Sequence, residues 1–325
     1  METDVYGHIR SGGTGYIKMP RGLIAVWGKE AVQFLDGMIT NDMKTLDDGG
    51  QMLAAFPNAQ GRLLALVRVL RQGDRFLIET EEATREKVFQ NLFRFTFAGD
   101  FFVEDLSDQY RYFELFGVSE ISSLYEGGAA FHATRGGSVG VFIEAGAPAS
   151  WVEGLQNAVV IDDDTFEVLR IESGIPKFGF DMDETTIVPE LGLDGMISYT
   201  KGCYIGQEII ARIHFRGHVA KQLTGLVFEQ TMRAAESEDH DAKATVPQAA
   251  IADGGVRLPI DITTPDGKNA GRITSVTFSP TLQKTIALAF VRYDHLANGT
   301  MLAVGEVAVK VEGLPFFEIA FTQPL

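Results

Sequence analysis

Apolar positions in the first third of the chain follow two periods, and these predict strands and helices in alternation. A short apolar stretch over 23–26 predicts a strand, and helical spacing within 28–39 predicts an amphipathic helix after it. The pattern further predicts strands over 51–56, 62–71 and 75–80, a helix over 82–93 and a strand over 101–105. Because the long βαβ rhythm of a parallel sheet is missing, this order favours an α+β fold over a doubly wound one.

The pattern partly repeats after residue 110, which indicates a second lobe related to the first. It predicts strands over 113–116 and around Ala130 and Val141, and helices over 119–125, 149–157 and 164–173. Beyond residue 222, short strands between glycine turns are typical of a small antiparallel barrel. We therefore predict α+β lobes over 1–110 and 111–222 and a C-terminal β-barrel over 223–325.

Two polar segments interrupt these elements. Residues 229–248 have few aromatic side chains, and we expect an exposed loop there. The glycine-rich run at 11–15 resembles a phosphate-binding loop only in composition, because no strand precedes it, and we expect a flexible N-terminus instead.

Charge and hydropathy narrow the classes of partner. The formal charge of −16, from 44 acidic and 28 basic residues, repels a phosphate backbone, so we expect no direct nucleic-acid binding. The start of the chain lacks the features of a signal peptide, and the longest apolar run, 286–291, is too short to cross a bilayer. We expect a soluble, cytoplasmic monomer without membrane contact.

The basic residues are unevenly distributed. Lys201, Arg212, Arg216 and Lys221 lie within 21 positions that contain one acidic residue, Glu208. This basic segment on an acidic chain indicates a small anionic ligand.

Residues 201–208 read Lys-Gly-Cys-Tyr-Ile-Gly-Gln-Glu and hold the only cysteine, Cys203. The flanking glycines let backbone N–H groups approach, Lys201 adds a cation, and a helix expected to begin near Gly206 points its positive end toward the thiol. These conditions favour a thiolate, and a buried packing residue is an equal alternative. A single cysteine forms neither an intramolecular disulfide nor an iron–sulfur cluster by itself.

Two other motifs point to chemistry that their context disfavours. Residues 136–140 match G-x-S-x-G, but Ser138 precedes a predicted strand, whereas a hydrolase elbow runs from a strand into a helix. His214 and His218 have helical spacing without an evident third ligand, so we expect no metal site.

The segment 201–208 resembles the signature of the YgfZ-type folate-binding proteins, relatives of the glycine-cleavage aminomethyltransferase. Other segments are similar to family motifs in the same order. They are 34–42 (F-L-x-G-x-x-T-N-D), 58–62 (N-x-x-G-R), 169–176 (R-I-E-x-G-x-P), 187–193 (P-E-x-G-L) and 271–275 (G-x-x-T-S). The resemblance covers nearly the whole chain.

This resemblance implies two α+β lobes and a barrel in a ring around a central hole that holds tetrahydrofolate or a one-carbon derivative. It also implies assembly or repair of iron–sulfur clusters in client proteins, and thereby an indirect role in tRNA modification. The cofactor-binding residues that we infer are Arg170, Lys201, Gly202, Cys203, Tyr204, Gly206, Gln207 and Arg212, with Cys203 also the candidate reactive thiol.

The sequence departs from the aminomethyltransferases at two positions. Their catalytic aspartate follows the glycine turn, whereas residues 63–66 are Leu-Leu-Ala-Leu, and their folate-binding glutamate aligns with Phe142. One alternative is therefore a folate-dependent aminomethyltransferase or demethylase that uses Asp42, Glu172 or Glu190 as its base. Another is an adaptor that binds no ligand and docks clients through its acidic surface.

Overall fold

The computed structural model describes residues 4–118, 128–132, 137–147, 158–229, 251–252, 255–256 and 258–317. Its α-helices are α1 (Val5–Arg10), α2 (Ala31–Met38), α3 (Glu82–Phe93), α4 (Asp163–Glu172) and α5 (Gln207–Arg216). Its strands are β1 (Gly15–Met19), β2 (Arg21–Trp27), β3 (Gln51–Pro57), β4 (Leu63–Gln72), β5 (Arg75–Glu81), β6 (Phe102–Asp105), β7 (Tyr110–Phe116), β8 (Ala129–His132), β9 (Val139–Glu144), β10 (Val159–Val160), β11 (Lys221–Phe228), β12 (Ile251–Ala252), β13 (Gly255–Val256), β14 (Ile260–Thr263), β15 (Asn269–Ser279), β16 (Lys284–Arg292), β17 (Met301–Val304) and β18 (Val307–Glu312). None of the helices in these ranges is long and apolar enough to cross a bilayer.

The first sheet is antiparallel and has the strand order β3-β4-β5-β2-β6. Helices α2 and α3 cover one face of this sheet. Leu35 of α2 and Val88 of α3 pack there against Ile24, Val67 and Ile78, all of them buried. Burial of such side chains contributes roughly 1.5–3 kcal/mol each, which makes this layer one of the main cores.

The second sheet has the strand order β10-β1-β7-β9-β8 and takes one strand from the start of the chain. β1 pairs antiparallel with β7 and parallel with β10. The prediction of a flexible N-terminus is therefore wrong. Ile9 and Ile17 are buried against Leu169 of α4, and this apolar contact fixes α1 and β1.

The two sheets pack against each other through their remaining apolar faces. Leu23 and Leu77 of the first sheet share one buried cluster with Tyr112, Phe131 and Phe142 of the second. Phe142, the residue that aligns with the folate-binding glutamate of the aminomethyltransferases, is 1% exposed and belongs to this interface. Its ring fills the core instead of facing a ligand.

Six described strands close an antiparallel barrel in the order β11-β16-β15-β14-β17-β18. Leu226, Ile273, Ala289 and Val309 fill its interior. A further buried cluster joins the outside of the barrel to the first sheet and to α5. The barrel is therefore packed on the lobes through a buried apolar interface, and a linker is not its only connection to them.

The fold class is confirmed as α+β with a closed C-terminal barrel, whereas the ring around a central hole and the domain boundaries stay predictions. The sequence predicted the elements from β2 to β7 and did not predict α1, β1, β10, β11, β12, β13 or β14. The helices predicted over 119–125 and 149–157, and almost all of the loop predicted over 229–248, lie outside the described residues.

Candidate functional site

A cavity of about 380 Å³ lies where the two sheets meet α4. Its apolar lining includes Leu66 of β4, Phe116 of β7 and Phe166 of α4. Phe178 and Phe180, in the segment that follows α4, line another side. This volume and the aromatic lining suit a small organic ligand.

A buried ion cluster from the first sheet lines one wall of the cavity. Arg68 and Glu79 lie opposite each other in the β4–β5 register, and Arg68 Nε donates to Glu79 Oε2 at 2.7 Å. Burial alone would raise the pKa of Glu79, but the guanidinium groups of Arg68 and Arg21 outweigh it and hold that pKa below its usual range. Glu79 is therefore an anion at neutral pH.

One oxygen of Glu79 has an ion-pair contact and no hydrogen bond. Its Oε1 lies 3.3 Å from Arg21 Nη1, an ion-pair distance, yet accepts no hydrogen bond from the described residues. Buried carboxylate oxygens usually accept at least one hydrogen bond, and at this atom the Arg21 guanidinium compensates the charge without one.

A second buried carboxylate, Glu114 of β7, lines the cavity beside this cluster. The Ser138 hydroxyl donates to one oxygen of Glu114 and the Tyr112 phenol to the other, while Arg68 Nη2 donates to the Tyr112 oxygen at 3.0 Å. Gly140 is opposite Glu114, where a Cβ would lie 2.1 Å from the Tyr112 hydroxyl. The hydrogen bonds thus join the two sheets across the cavity wall.

The position and the hydrogen bond of Ser138 argue against its being a hydrolase nucleophile. Ser138 directly precedes strand β9, whereas a nucleophile elbow leads into a helix. Its hydroxyl donates to a carboxylate and has no histidine partner among the described residues.

Arg170 is the one predicted binding residue that lines the cavity. Its Nε and Nη2 donate to Glu167, its Nη1 to the Ile175 carbonyl at 2.6 Å and to Asp181 at 2.7 Å, and its Nη2 also to Ser275 at 2.9 Å. Burial alone would lower the pKa of Arg170, but the bonds to Glu167 and Asp181 raise it. All five N–H donors are engaged, so a ligand would bind Arg170 only by displacing one of these partners.

The segment after α4 is held over the cavity by a carboxylate. Both oxygens of Glu81 accept from the Phe178 backbone N–H, at 3.1 and 3.2 Å. Burial raises the pKa of Glu81. Lys177 Nζ lies 4.6 Å from the ring centroid of Phe180, which is 63% exposed at the mouth of the cavity.

Lys201 lies at the end of α2 and does not line the cavity. Its Nζ donates to the backbone carbonyls of Asp36 at 2.6 Å, Ile39 at 3.0 Å and Asn41 at 2.6 Å, and its side chain is 0% exposed. These bonds satisfy carbonyls that the end of a helix leaves without partners. Burial lowers the pKa of Lys201, an effect that the nearby Asp36 carboxylate partly offsets.

Several glycines of the sequence motifs lie where backbones approach closely. Ile205 N–H donates to the Gly37 carbonyl at 3.0 Å, and Val188 N–H donates to the Gly61 carbonyl at 3.1 Å. Gly206, which caps α5 with φ 80°, would place a Cβ 2.4 Å from the Asn58 carbonyl oxygen. Four motifs that are distant in sequence therefore form one packed unit.

The Cys203 side chain is exposed, so the buried-packing alternative is wrong. Gly202 beside it and Arg212 on α5 are exposed too, and Gln207 is the first residue of that helix. Tyr204 is buried, which raises the pKa of its phenol to about 12. These residues lie outside the cavity lining, and their role in cofactor binding, like that of Arg170 and Lys201, stays a prediction.

The basic segment 201–221 is divided among several partners. Lys201 is buried beside Asp36, and Lys221 Nζ lies 3.8 Å from Glu190. Arg212 and Arg216 remain exposed on α5. The segment therefore does not form one cation cluster.

The two histidines near this segment contact different rings. His214 stacks on Tyr199 with centroids 3.7 Å apart, and His218 stacks on Tyr293 at 3.8 Å. Across the described ranges, no three His, Cys, Asp or Glu side chains are grouped as a metal site would need.

The sequence analysis missed the buried charges of the cavity wall. Arg68 interrupts a run of apolar residues on β4, and Glu79 follows directly after an apolar run on β5. Ionisable residues within such runs are buried only when they are paired, and equivalent positions on neighbouring strands identify the pair. Glu114 on β7 carries the same signal.

Comparisons with known proteins support one family over slightly more than half of the chain. Residues 20–120 match the model of the GCVT N-terminal domain, and residues 250–318 match that of the glycine cleavage T-protein C-terminal barrel domain. The crystal structure of glycine cleavage system aminomethyltransferase T from Bartonella henselae superposes with a TM-score of 0.79 and 17% identity, over 97% of this chain and 90% of that one. This likeness confirms the fold.

Two relatives have names other than aminomethyltransferase. An iron-sulfur cluster assembly factor IBA57 homolog, mitochondrial, from Mycosarcoma maydis is 26% identical over 92% of this chain and 79% of its own length. The tRNA-modifying protein YgfZ of Klebsiella pneumoniae is 26% identical over 60% of this chain and 65% of its own length. With both domain models matched in order, the chain belongs to the glycine cleavage T-protein superfamily.

Proposed function

We propose that this protein binds tetrahydrofolate, or a one-carbon derivative of it, in the cavity between the sheets. The observation that carries the proposal is the buried Glu79 carboxylate in the wall of a cavity that also has aromatic sides. A reduced pteridine offers the matching groups, because its amino and ring N–H edge donates hydrogen bonds while its flat face packs on aromatic rings. Glu114 adds a second carboxylate on the same wall.

We further propose that the protein supports the assembly or repair of iron–sulfur clusters in client proteins, and through them tRNA modification. The names of the relatives from Mycosarcoma maydis and Klebsiella pneumoniae support this role. The exposed Cys203 offers an accessible thiol to a client. Because clusters are normally held by four ligands, one thiol would share a cluster with its client and not store it.

The competing function is a folate-dependent aminomethyltransferase or demethylase. The three carboxylates that the sequence suggested as bases lie outside the cavity lining: Asp42 caps the turn at Met43–Thr45, Glu172 accepts from Arg10, Tyr6 and Ser279, and Glu190 accepts from the Ile187 N–H. Of the cavity carboxylates, Glu81 has a raised pKa, as a general base requires. Turnover of a methylamine donor with tetrahydrofolate, abolished in Glu81→Gln, would establish the enzyme.

Calorimetric titration with tetrahydrofolate and 5-formyltetrahydrofolate tests the binding site. Ala83 lines the cavity from an exposed position on α3, so Ala83→Trp fills the space without disturbing a core. We expect this variant to bind at least about tenfold more weakly than wild type, a loss of roughly 1.4 kcal/mol. Glu86→Trp, exposed on the same helix outside the lining, is the matched control and should bind like wild type. Absence of binding to folded wild-type protein would refute folate binding.

Complementation in cells that lack this chain tests the cluster role. Cys203→Ser should bind folate like wild type in the calorimeter and fail to restore the activity of iron–sulfur enzymes. Full restoration by Cys203→Ser would show that the cluster role does not need the Cys203 thiol. Full restoration by Ala83→Trp would favour the adaptor that needs no ligand.

A further inference from the structure

We propose that the Phe97 patch, the surface formed by residues 93–102 and α2, is an interface through which two copies of this chain form a dimer. The patch shares no lining residue with the cavity between the sheets, and the inference does not depend on folate binding. It differs from the monomer expected from the sequence, because a sequence does not show which aromatic rings remain exposed.

The end of α3 and the turn after it expose several aromatic rings. Phe97, in the turn Thr96–Ala98, is 89% exposed, and Phe93 and Phe102 are 48% and 54% exposed. These three rings lie within ten positions of the chain. Large exposed apolar groups of this kind mark interaction surfaces, whereas single exposed rings do not.

A groove of about 440 Å³ opens beside Phe97. Phe34 of α2 lines it and stacks on Phe101, with ring centroids 3.9 Å apart. Phe95 and Ala98, on either side of Phe97 in the sequence, line it too. The patch therefore has both a protruding aromatic ring and an aromatic recess that is large enough to receive one.

The charges at the rim of the patch balance each other. Lys29 Nζ pairs with Asp100 at 3.4 Å. Glu30 lines the groove, and the Arg94 guanidinium lies 4.8 Å from the Phe95 ring centroid. Within the described ranges, neither Glu30 nor Arg94 has an oppositely charged group within 4.0 Å. In a chain with a net charge of −16, two copies repel each other least where the local charge is zero.

These features make the patch complementary to itself. A two-fold interface uses the same surface on both copies, so each feature must find its counterpart on that surface. In the proposed dimer, Phe97 of each copy enters the groove of the other. Arg94 of each copy pairs with Glu30 of the other. An anionic bilayer fits the patch less well, because it repels the net negative charge of the chain.

The turn that presents Phe97 is held in place before association. Glu30 N–H donates to the Asp100 carbonyl at 3.1 Å, and Asp100 N–H donates to Glu30 Oε2 at 2.6 Å. Ala98 N–H donates to the Phe95 carbonyl at 2.9 Å. Because these bonds fix the turn on the start of α2, dimer formation loses little conformational entropy.

Sedimentation velocity of the full chain tests the dimer. Over roughly 1–300 μM, wild type should show a reversible monomer–dimer equilibrium, as an interface of modest area allows. Phe97→Asp, at an exposed position, should weaken the dimer at least about tenfold. Phe215→Asp adds the same charge at an 82% exposed ring on α5, so it is the matched control and should dimerise like wild type. Phe97→Asp that dimerises as tightly as wild type would overturn the proposal.

The rim charges provide a second test with two variants. Arg94→Glu places carboxylates opposite each other in the dimer, and Glu30→Lys places cations opposite each other, so each variant alone should dimerise more weakly than wild type. An equal mixture restores both pairs of opposite charge and should form a heterodimer roughly threefold to tenfold tighter than either homodimer. Folded variants whose mixture shows no such gain would overturn the two-fold arrangement.

Other occupants of the patch would give different results. Wild-type protein that stays monomeric at the highest concentration would overturn the dimer. Flotation with phosphatidylcholine vesicles tests the lipid alternative. Vesicle binding by monomeric wild type, lost in Phe97→Asp and kept in Phe215→Asp, would assign the patch to a membrane surface instead.

Discussion

Neighbouring residues of a single motif have opposite environments in this protein. Lys201 is fully buried and gives its three ammonium donors to the end of α2, whereas Cys203, two residues later, is exposed. One motif thus combines a structural lysine with an accessible thiol. Mutations at the two positions should be separable, with stability lost at Lys201 and chemistry lost at Cys203.

Lys201→Met should destabilise the protein strongly, because it leaves three backbone carbonyls and the Asp36 carboxylate without their donor. We expect a loss of about 3 kcal/mol in the free energy of unfolding, measured by urea denaturation. Lys44 contacts the same Asp36 from a 62% exposed position, so Lys44→Met should cost no more than about 1 kcal/mol. Equal losses in the two variants would contradict the helix-capping role.

Glu79→Gln should change how stability depends on pH. The pKa of Glu79 is lowered in the folded state, so its contribution is present above the unfolded carboxyl pKa of about 4.3 and is lost as pH falls through the folded value. At pH 7 we expect the variant to be less stable by roughly 3 kcal/mol, because Arg68 and Arg21 lose their anion. Urea denaturation between pH 7 and 3 should show this gap narrowing below about pH 4.3; a constant gap would refute the ion cluster.

The candidate site could be predicted from the sequence only in part. The motif 201–208 was located, and Arg170 does line the cavity, but the Arg68–Glu79 pair was missed. A sequence shows which charges exist and not which partners meet them. The partners of Arg170 and Lys201 lie 3 to 165 residues away in the sequence, so only the folded chain reveals that both side chains are saturated.

At the level of elements, two glycines of the same motif have different structural roles. Gly206 has φ 80° at the start of α5, and a Cβ there would meet the Asn58 carbonyl. Gly202 is exposed, has no left-handed φ, and an added Cβ would meet nothing within 4 Å. Of these two glycines, only Gly206 is required for the contact between the turn at 58–62 and the start of α5.

Gly206→Ala should destabilise the protein by about 1–3 kcal/mol, because the left-handed backbone strains a residue with a Cβ and the close contact adds to the cost. Gly202→Ala, in the same motif, should stay within about 0.5 kcal/mol of wild type. Thermal and urea unfolding of the two variants provide the comparison. A neutral Gly206→Ala would mean that the Asn58 turn is not in contact with α5.

The elements that the sequence predicted are those with internal patterns. The hairpins from β3 to β5 combine apolar, β-rich runs with turn residues between them, and α3 has twelve residues of its own. By contrast, β1 has five residues and α1 has six, too few for a distinct period. Both are stabilised by partners distant in sequence, β7 and α4, which local pattern analysis does not see.

At the scale of the whole molecule, the N-terminal helix connects the lobes to the barrel. Tyr6 and Arg10 of α1 donate to Glu172 of α4, which is 0% exposed and also accepts from Ser279 of β15. Tyr6 further contacts Thr281. One buried carboxylate thereby joins three parts of the chain.

Removal of residues 1–13 should cost roughly 3–5 kcal/mol, because Glu172 would stay buried without its cation. Urea denaturation of the shortened chain gives the value, and removal of residues 1–3 alone, which precede α1, should have no measurable effect. Glu172→Gln in the shortened chain should recover part of the loss, since it removes the uncompensated charge. If the double change is no more stable than the truncation, the carboxylate does not explain the loss.

Because β1 lies between β7 and β10, it can complete its pairing only after β10 has been synthesised. Met19 ends β1, and Val160, the end of its parallel partner, leaves the ribosome 141 residues later. At 5–20 residues per second the nascent N-terminus waits roughly 7–28 seconds before its sheet can close. The first sheet needs no strand beyond Asp105, so it can complete earlier. The oldest segment of the nascent chain thus completes its pairing only after the first sheet has formed, and during that interval it is exposed to chaperones and proteases.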